Sequence, residues 1–283
     1  MSAIDLPFGY IFIVRLRTRL RIASFFLAEW IPIVFALTLA YSSNWVLTVM
    51  MLAGNSCIYE CGYLVNDLAD SAAEPNGDHL EGRRVNYGIF LSSHTALFGS
   101  VMALLLWKRG IYFIALYAIL SLSVLLLFVW HTTRWPKQIR FLRIFTFTTL
   151  YLYKFSPIVV PQVPLPDAAW ILTSLFFCWG LWRMVFYVLM KFGSSTSSGK
   201  NEFDTNRILH PLSLIACAPM FLVGMSQSPA HKAGGIVWVV YALIAGLRSG
   251  FQQTPWHLRR IDEISKENAI SCDKCLDKAE MSA

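Results

Sequence analysis

The run Tyr87–Trp130, YGIFLSSHTALFGSVMALLLWKRGIYFIALYAILSLSVLLLFVW, holds two long apolar stretches separated by Trp107, Lys108, Arg109 and Gly110. A helix crosses the hydrocarbon core of a bilayer in about 20 residues, the length of each stretch. Neither alternates apolar and polar residues at period two, so a helix, which satisfies its own backbone in lipid, is predicted for both. Working outward, similar runs recur at 22–43, 45–65, 141–160, 168–190, 209–226 and 235–250, which with 87–107 and 110–130 make eight predicted spans. The whole chain of 283 residues is 56% hydrophobic and 14% charged, with a mean hydropathy of +0.52. A soluble domain carries about 25% charged residues. The expected fold is therefore all-α, a polytopic transmembrane bundle of about eight helices, with nine the alternative count. Residues 1–252 form the membrane domain and 253–283 a polar cytoplasmic tail.

The formal net charge of +7 does not indicate a nucleic-acid partner, because the basic residues are split into short clusters between apolar runs. Alternate connections carry nineteen Lys and Arg against three in the intervening ones, with Lys154 and Arg183 left inside predicted spans. By the positive-inside rule both termini and the 66–86, 131–140 and 191–208 connections are cytoplasmic, in a multi-pass protein of the cell inner membrane surrounded by lipid. The start carries Asp5 before its first apolar stretch and four Arg after it, so no cleaved signal peptide is expected. The opposite connection 157–167, PIVVPQVPLPD, has no basic residue and reads as a surface crossing. Lys154 and Arg183 are candidates for buried counter-charges, with snorkelling to the interface as the competing account.

Acidity concentrates after the second span, in NDLADSAAEPNGDHLEGRRV, residues 66–85. If that helix continues for a turn, Asn66 and Asp70 share a face with Asp67 beside them, and Glu74 extends the face by another turn. Carboxylate and amide oxygens at this spacing suit Mg²⁺, a hard ion commonly held jointly by carboxylates and substrate phosphates. Arg83 and Arg84 carry the charge needed to hold diphosphate oxygens. The plainer reading is a solvated interhelical loop. Glu60, inside the preceding apolar run, weighs against it, since an ionisable residue in a span usually faces a cavity or a partner.

Asn66-Asp67-Leu-Ala-Asp70-Ser-Ala-Ala-Glu74 resembles the first aspartate-rich signature of the UbiA superfamily of intramembrane prenyltransferases, in place between the second and third spans. Glu74 stands where that signature has its last Asp. Arg83 occupies the family's Arg position, and Arg84 replaces the Pro that follows. The resemblance extends, in length and helix order, over about 250 residues, and implies a UbiA-like bundle that transfers a prenyl group from an isoprenoid diphosphate to a lipophilic or aromatic acceptor. It implies catalytic roles for Asp67, Asp70 and Arg83, and Mg²⁺ ligands in Asp67, Asp70 and Glu74. Asn66, Arg84 and Tyr63 would bind substrate, Tyr63 as an aromatic wall for the allylic cation.

The family's second acidic signature belongs between the sixth and seventh helices. Here that connection reads KFGSSTSSGKNEFDTNRILHP, with Glu202 and Asp204 as its acids and Lys200 and Arg207 nearby. Glu202 and Asp204 would complete the metal site and Lys200 and Arg207 would contact phosphate. Acids at i, i+2 do not share a helix face, and residues 193–199 read equally as a linker. Cys272 and Cys275 provide only two thiolates, too few for a self-contained zinc site. Three readings fit the residues: a prenyltransferase, a divergent non-catalytic isoprenoid-binding member of the family, and a small-molecule transporter.

Overall fold

The computed structural model describes residues 2–16, 22–23, 25–71, 84–132, 142–181, 184–185, 211, 214–219, 221 and 228–252; these form helices and short connections, with no strand among them. A 3-10 turn Ala3–Asp5 and a π-helical segment Ile11–Leu16 come first, and a π-helical turn Phe26–Trp30 then runs into α1, Ile31–Tyr41. There follow α2 (Trp45–Ser71), α3 (Tyr87–Arg109), α4 (Ile111–Thr132), α5 (Leu142–Tyr153) and α6 (Ser156–Val159). The helix α7, Leu165–Leu175, continues as a π-helical turn Phe176–Gly180, and α8 spans Pro229–Gln252. The chain forms two compact units, Met1–Tyr241 and Ala242–Ala283, so their boundary falls within α8.

In the first unit α2 is the centre, packed against α1, α3, α4 and α6. Two glycines let α4 come close. A Cβ on Gly62 would lie 2.5 Å from the Phe128 ring, and one on Gly54 would lie 2.6 Å from the Tyr117 hydroxyl, which itself donates to the Met51 carbonyl at 2.8 Å. Small residues at a helix contact allow the backbones to approach, and here the space is filled by rings. Tyr59, Tyr63 and Phe128 meet edge to face at centroid distances of 4.8–5.8 Å, over buried Val124 and Leu150.

The predicted span 141–160 is not one continuous helix. It breaks after Tyr153, because Pro157 lacks the N–H that would bond the Tyr153 carbonyl and the Ile158 N–H bonds instead to Phe155 at 3.1 Å. That leaves the Lys154 carbonyl without its helical partner, and the Asn55 amide of α2 donates to it at 3.1 Å. The segment read as a surface crossing is pinned from both sides. Thr48 donates to Gln162 at 3.0 Å, and the Tyr41 hydroxyl donates to Asp167 at 2.9 Å.

Among the described residues, α3 and α4 are long and apolar enough to cross a membrane. Only 22% and 28% of their apolar windows are buried, unlike the core helix of a water-soluble protein. Trp107, Tyr112 and Leu126 are among the side chains that point outward.

The α2–α4 contact predicts that Gly62→Ala costs about 1–3 kcal/mol, since the added methyl group forces the Phe128 ring from its place. Phe128→Leu in the same chain should recover part of that loss. Thermal unfolding of the purified protein in detergent measures both; a Gly62→Ala protein as stable as the parent would mean that the helices are not in this contact.

Candidate functional site

The end of α2 that carries the Asn66-Asp67-x-x-Asp70 run is covered by residues 2–16. The approach depends on a tight turn. Phe8 holds a left-handed backbone with φ of 67°, and a Cβ on Gly9 would fall 1.8 Å from the Ala3 carbonyl oxygen. A non-glycine residue in that region costs on the order of 1 kcal/mol, so the surroundings must hold it. They do so through the Phe8 ring, stacked on Phe12 at 5.7 Å and tilted against Trp30 at 6.1 Å, and through the Phe8 N–H.

That N–H donates to Glu60, which has no exposed surface. The Glu60 Oε2 accepts from Phe8 N at 2.6 Å and Oε1 from Ile11 N at 2.9 Å, both amides lying at the start of the helical segment that runs to Leu16. First-turn amides have no intrahelical acceptor, and a carboxylate placed there satisfies them and the helix dipole together. The same Oε2 also lies 2.8 Å from His94 Nε2 of α3. The His94 Nδ1 lies 2.7 Å from the Phe90 carbonyl, which can only accept, so Nδ1 is the donor there. Glu60 thus ties the N-terminal segment, α2 and α3 together.

Two further carboxylates complete the arrangement. Asp5, also buried, caps its own turn through Ser2 N at 3.0 Å and accepts from the Asn86 N–H, at the start of α3, at 2.9 Å. Asp67, with no exposed surface, accepts from the Tyr10 hydroxyl at 2.5 Å, and Tyr10 is itself fully buried with its ring on Phe90. Asp5, Glu60 and Asp67 therefore each anchor residues 2–16.

Of the residues singled out in the sequence, Asn66 is half-buried beside Asp67, and Asp70 lies in the last turn of the same helix. Tyr63 is half-buried in the ring cluster with Tyr59 and Phe128. Arg84 is exposed two residues before the Asn86 cap of α3. Glu74, Arg83, Arg183, Lys200, Glu202, Asp204, Arg207, Cys272 and Cys275 lie outside the described residues. Asn66, Asp67 and Asp70 are residues with oxygen donors of the kind Mg²⁺ takes. Among the described residues no group of three or more His, Cys, Asp or Glu is gathered to hold a metal.

Four participants escaped the sequence reading: Asp5, Tyr10, His94 and Glu29. A polar residue within an apolar run is the signal that marks His94 and Glu29. Glu29, in the π-helical turn before α1, pairs with Lys154 at 2.8 Å, so Lys154 is a buried counter-charge and does not snorkel. Its ammonium also lies 4.5 Å from the Phe155 ring centroid and 4.9 Å from that of Tyr151.

Removing the Glu60 carboxylate strands two amides and His94 in an apolar interior. Glu60→Ala should cost about 3–5 kcal/mol, and Glu60→Gln, which keeps one acceptor oxygen, about 1–3 kcal/mol. Unfolding in detergent checks the order; equal and small losses would show that the N-terminal segment is held by something else. Compared with known proteins, the chain matches no family model, no curated protein and no solved structure.

Proposed function

We propose that the chain is a polytopic membrane bundle with both termini at the cytoplasmic face, and that it transfers a prenyl group from an isoprenoid diphosphate to a lipophilic or aromatic acceptor with the help of Mg²⁺. The observation that carries this reading is the position of the Asn66-Asp67-x-x-Asp70 run on the final turns of a 27-residue helix. Such a helix is about 40 Å long, against roughly 30 Å of hydrocarbon, so in this reading its acidic end reaches the depth of lipid phosphates while its body stays within the bundle. The outward-facing apolar sides of α3 and α4 support the membrane setting.

In this reading Asp67, Asp70, Glu74, Glu202 and Asp204 hold the metal, which when bound neutralises negative charge gathering on the departing diphosphate. Arg83, Arg84, Lys200 and Arg207 bind phosphate oxygens, and Asn66 orients them through its amide. Tyr63 and the rings around it line the path of the isoprenoid tail and keep water from the reacting carbon.

A second reading is favoured by one contact. Asp67 is fully buried and bonded to the Tyr10 hydroxyl, as a residue with a purely structural role would be. In the divergent, non-catalytic alternative, Asp67 anchors the N-terminal segment and binds no metal.

Calorimetry separates the two, using a farnesyl thiodiphosphate titrated into purified protein with and without Mg²⁺. Prenyl transfer predicts that Asp67→Asn and Asp70→Asn each weaken Mg²⁺-dependent binding tenfold or more. The structural alternative predicts binding indifferent to Mg²⁺ and to both substitutions, with Tyr10→Phe and Asp67→Asn each losing about 1.5–3 kcal/mol of stability and the pair losing no more than one of them. Reporters fused to either end should both read cytoplasm; opposite readings would overturn the even-span topology.

A further inference from the structure

Residues 2–16 lie over three features of the proposed site. Tyr10 donates its hydroxyl to Asp67 Oδ2 at 2.5 Å, and neither residue has exposed surface. Ile4, Tyr10 and Val14 form one apolar cluster with Leu64 of α2 and Phe90 of α3, and Tyr63 packs against it. Asp5 accepts from the Asn86 N–H at 2.9 Å, two residues after Arg84. The segment therefore closes over the carboxylate, the aromatic wall and the start of α3 at once.

A metal ion and Tyr10 compete for Asp67. A hydroxyl that donates to Oδ2 turns its positive end toward that oxygen, the position from which a cation approaches it. Mg²⁺ gives up its waters reluctantly and usually keeps several. A carboxylate without accessible surface has no room for them, so in the closed arrangement Asp67 is withheld from the hydrated ion.

The closure is of a kind that can be undone. Its turn holds Phe8 in a left-handed backbone, a strained conformation that opening relieves. Glu60 is not abandoned when the segment leaves: water takes the Phe8 and Ile11 amides, and the carboxylate keeps His94 Nε2 at 2.8 Å. The start of α3 is likewise self-sufficient, since the Asn86 side chain accepts from the Ile89 N–H at 3.2 Å whether or not Asp5 is there. What opening gives up is the Tyr10–Asp67 bond and the apolar underside of the segment.

We propose, on the basis of the prenyl-transfer reading, that residues 2–16 are an autoinhibitory strap. Closed, the strap withholds Asp67 and Tyr63; Mg²⁺ with an isoprenoid diphosphate binds the form in which it has lifted from α2. The apparent affinity is then lowered by the fraction of molecules that are open, and any change that weakens the closed form raises it.

Hydrogen exchange on the purified full-length protein in detergent reads the strap directly. The Phe8 and Ile11 amides, bonded to buried Glu60, should be protected, and farnesyl thiodiphosphate with Mg²⁺ should speed exchange of the peptide that holds them tenfold or more. Calorimetry with the same ligand should find binding at least tenfold tighter in Tyr10→Phe, which removes the bond to Asp67, and in Gly9→Ala, whose methyl group the Ala3 carbonyl excludes from the closed turn. A merely structural segment would lose stability in both variants and gain no affinity. The exchange measurement uses the unaltered chain, so it stands even if a variant fails to fold. Mg²⁺-dependent binding that leaves the two amides protected, or that neither variant tightens, would overturn the strap and leave prenyl transfer standing. No Mg²⁺-dependent binding in the parent or in either variant would overturn both, whereas binding that appears only in the variants would support the strap.

Discussion

Glu60 is the group on which the arrangement of the N-terminal half depends. An uncompensated carboxylate in an apolar interior is costly enough to unfold the region around it, so its position dictates what must come to it. What comes is the turn at Phe8 and Gly9, whose two amides find in Glu60 the acceptor that no helical residue supplies, and His94, whose ring bridges to α3. The left-handed Phe8 backbone is tolerable only because these bonds and the rings of Phe12 and Trp30 hold it. One ionisable side chain thereby sets the path of residues 2–16, and that path brings Tyr10 to Asp67.

The same logic recurs further along α2. Pro157 interrupts the helix that begins at Leu142, the interruption frees the Lys154 carbonyl, and the Asn55 amide is placed to donate to it. Inside an apolar bundle a freed carbonyl has no water to turn to, and here a neighbouring helix answers it. The turn after Tyr153 leaves Lys154 buried where Glu29 meets it. Backbone break, amide and ion pair are parts of one adjustment.

The elements that could be read from the sequence were those governed by local pattern. α3 and α4 follow from two apolar runs with a charged tetrapeptide between them, and the helical placement of Asn66, Asp67 and Asp70 follows from the apolar run that precedes them. Glu60 could be recognised as needing a partner, but its partners are 34 to 52 residues away and no spacing rule reaches that far. Asp5 and Tyr10 were hidden for the opposite reason. Asp5 stands before the first apolar stretch and Tyr10 within it, and what buries them is decided by distant contacts to Glu60, Asp67 and the start of α3, not by local composition. Lys154 was visible as a charge in a span, whereas its pairing with Glu29, in a π-helical turn far off in the sequence, follows from no local pattern.

Polar groups inside an apolar bundle are tolerated only when satisfied, and most of these are. Glu60 has three partners, Asp5 is capped on both oxygens, and Lys154 has a carboxylate and three rings. The Oδ1 of Asn55 is one of several buried polar atoms, Thr38 Oγ1 and Ser156 Oγ among them, for which the described residues supply no partner. Leucine at position 55 would remove the unmet acceptor but would leave the Lys154 carbonyl unanswered, so helix geometry explains the amide nitrogen. It does not explain the oxygen, which meets no donor among the described residues. A buried acceptor of this kind is ordinarily met by a buried water, and the void of about 10 Å³ beside Asn55 is of that size.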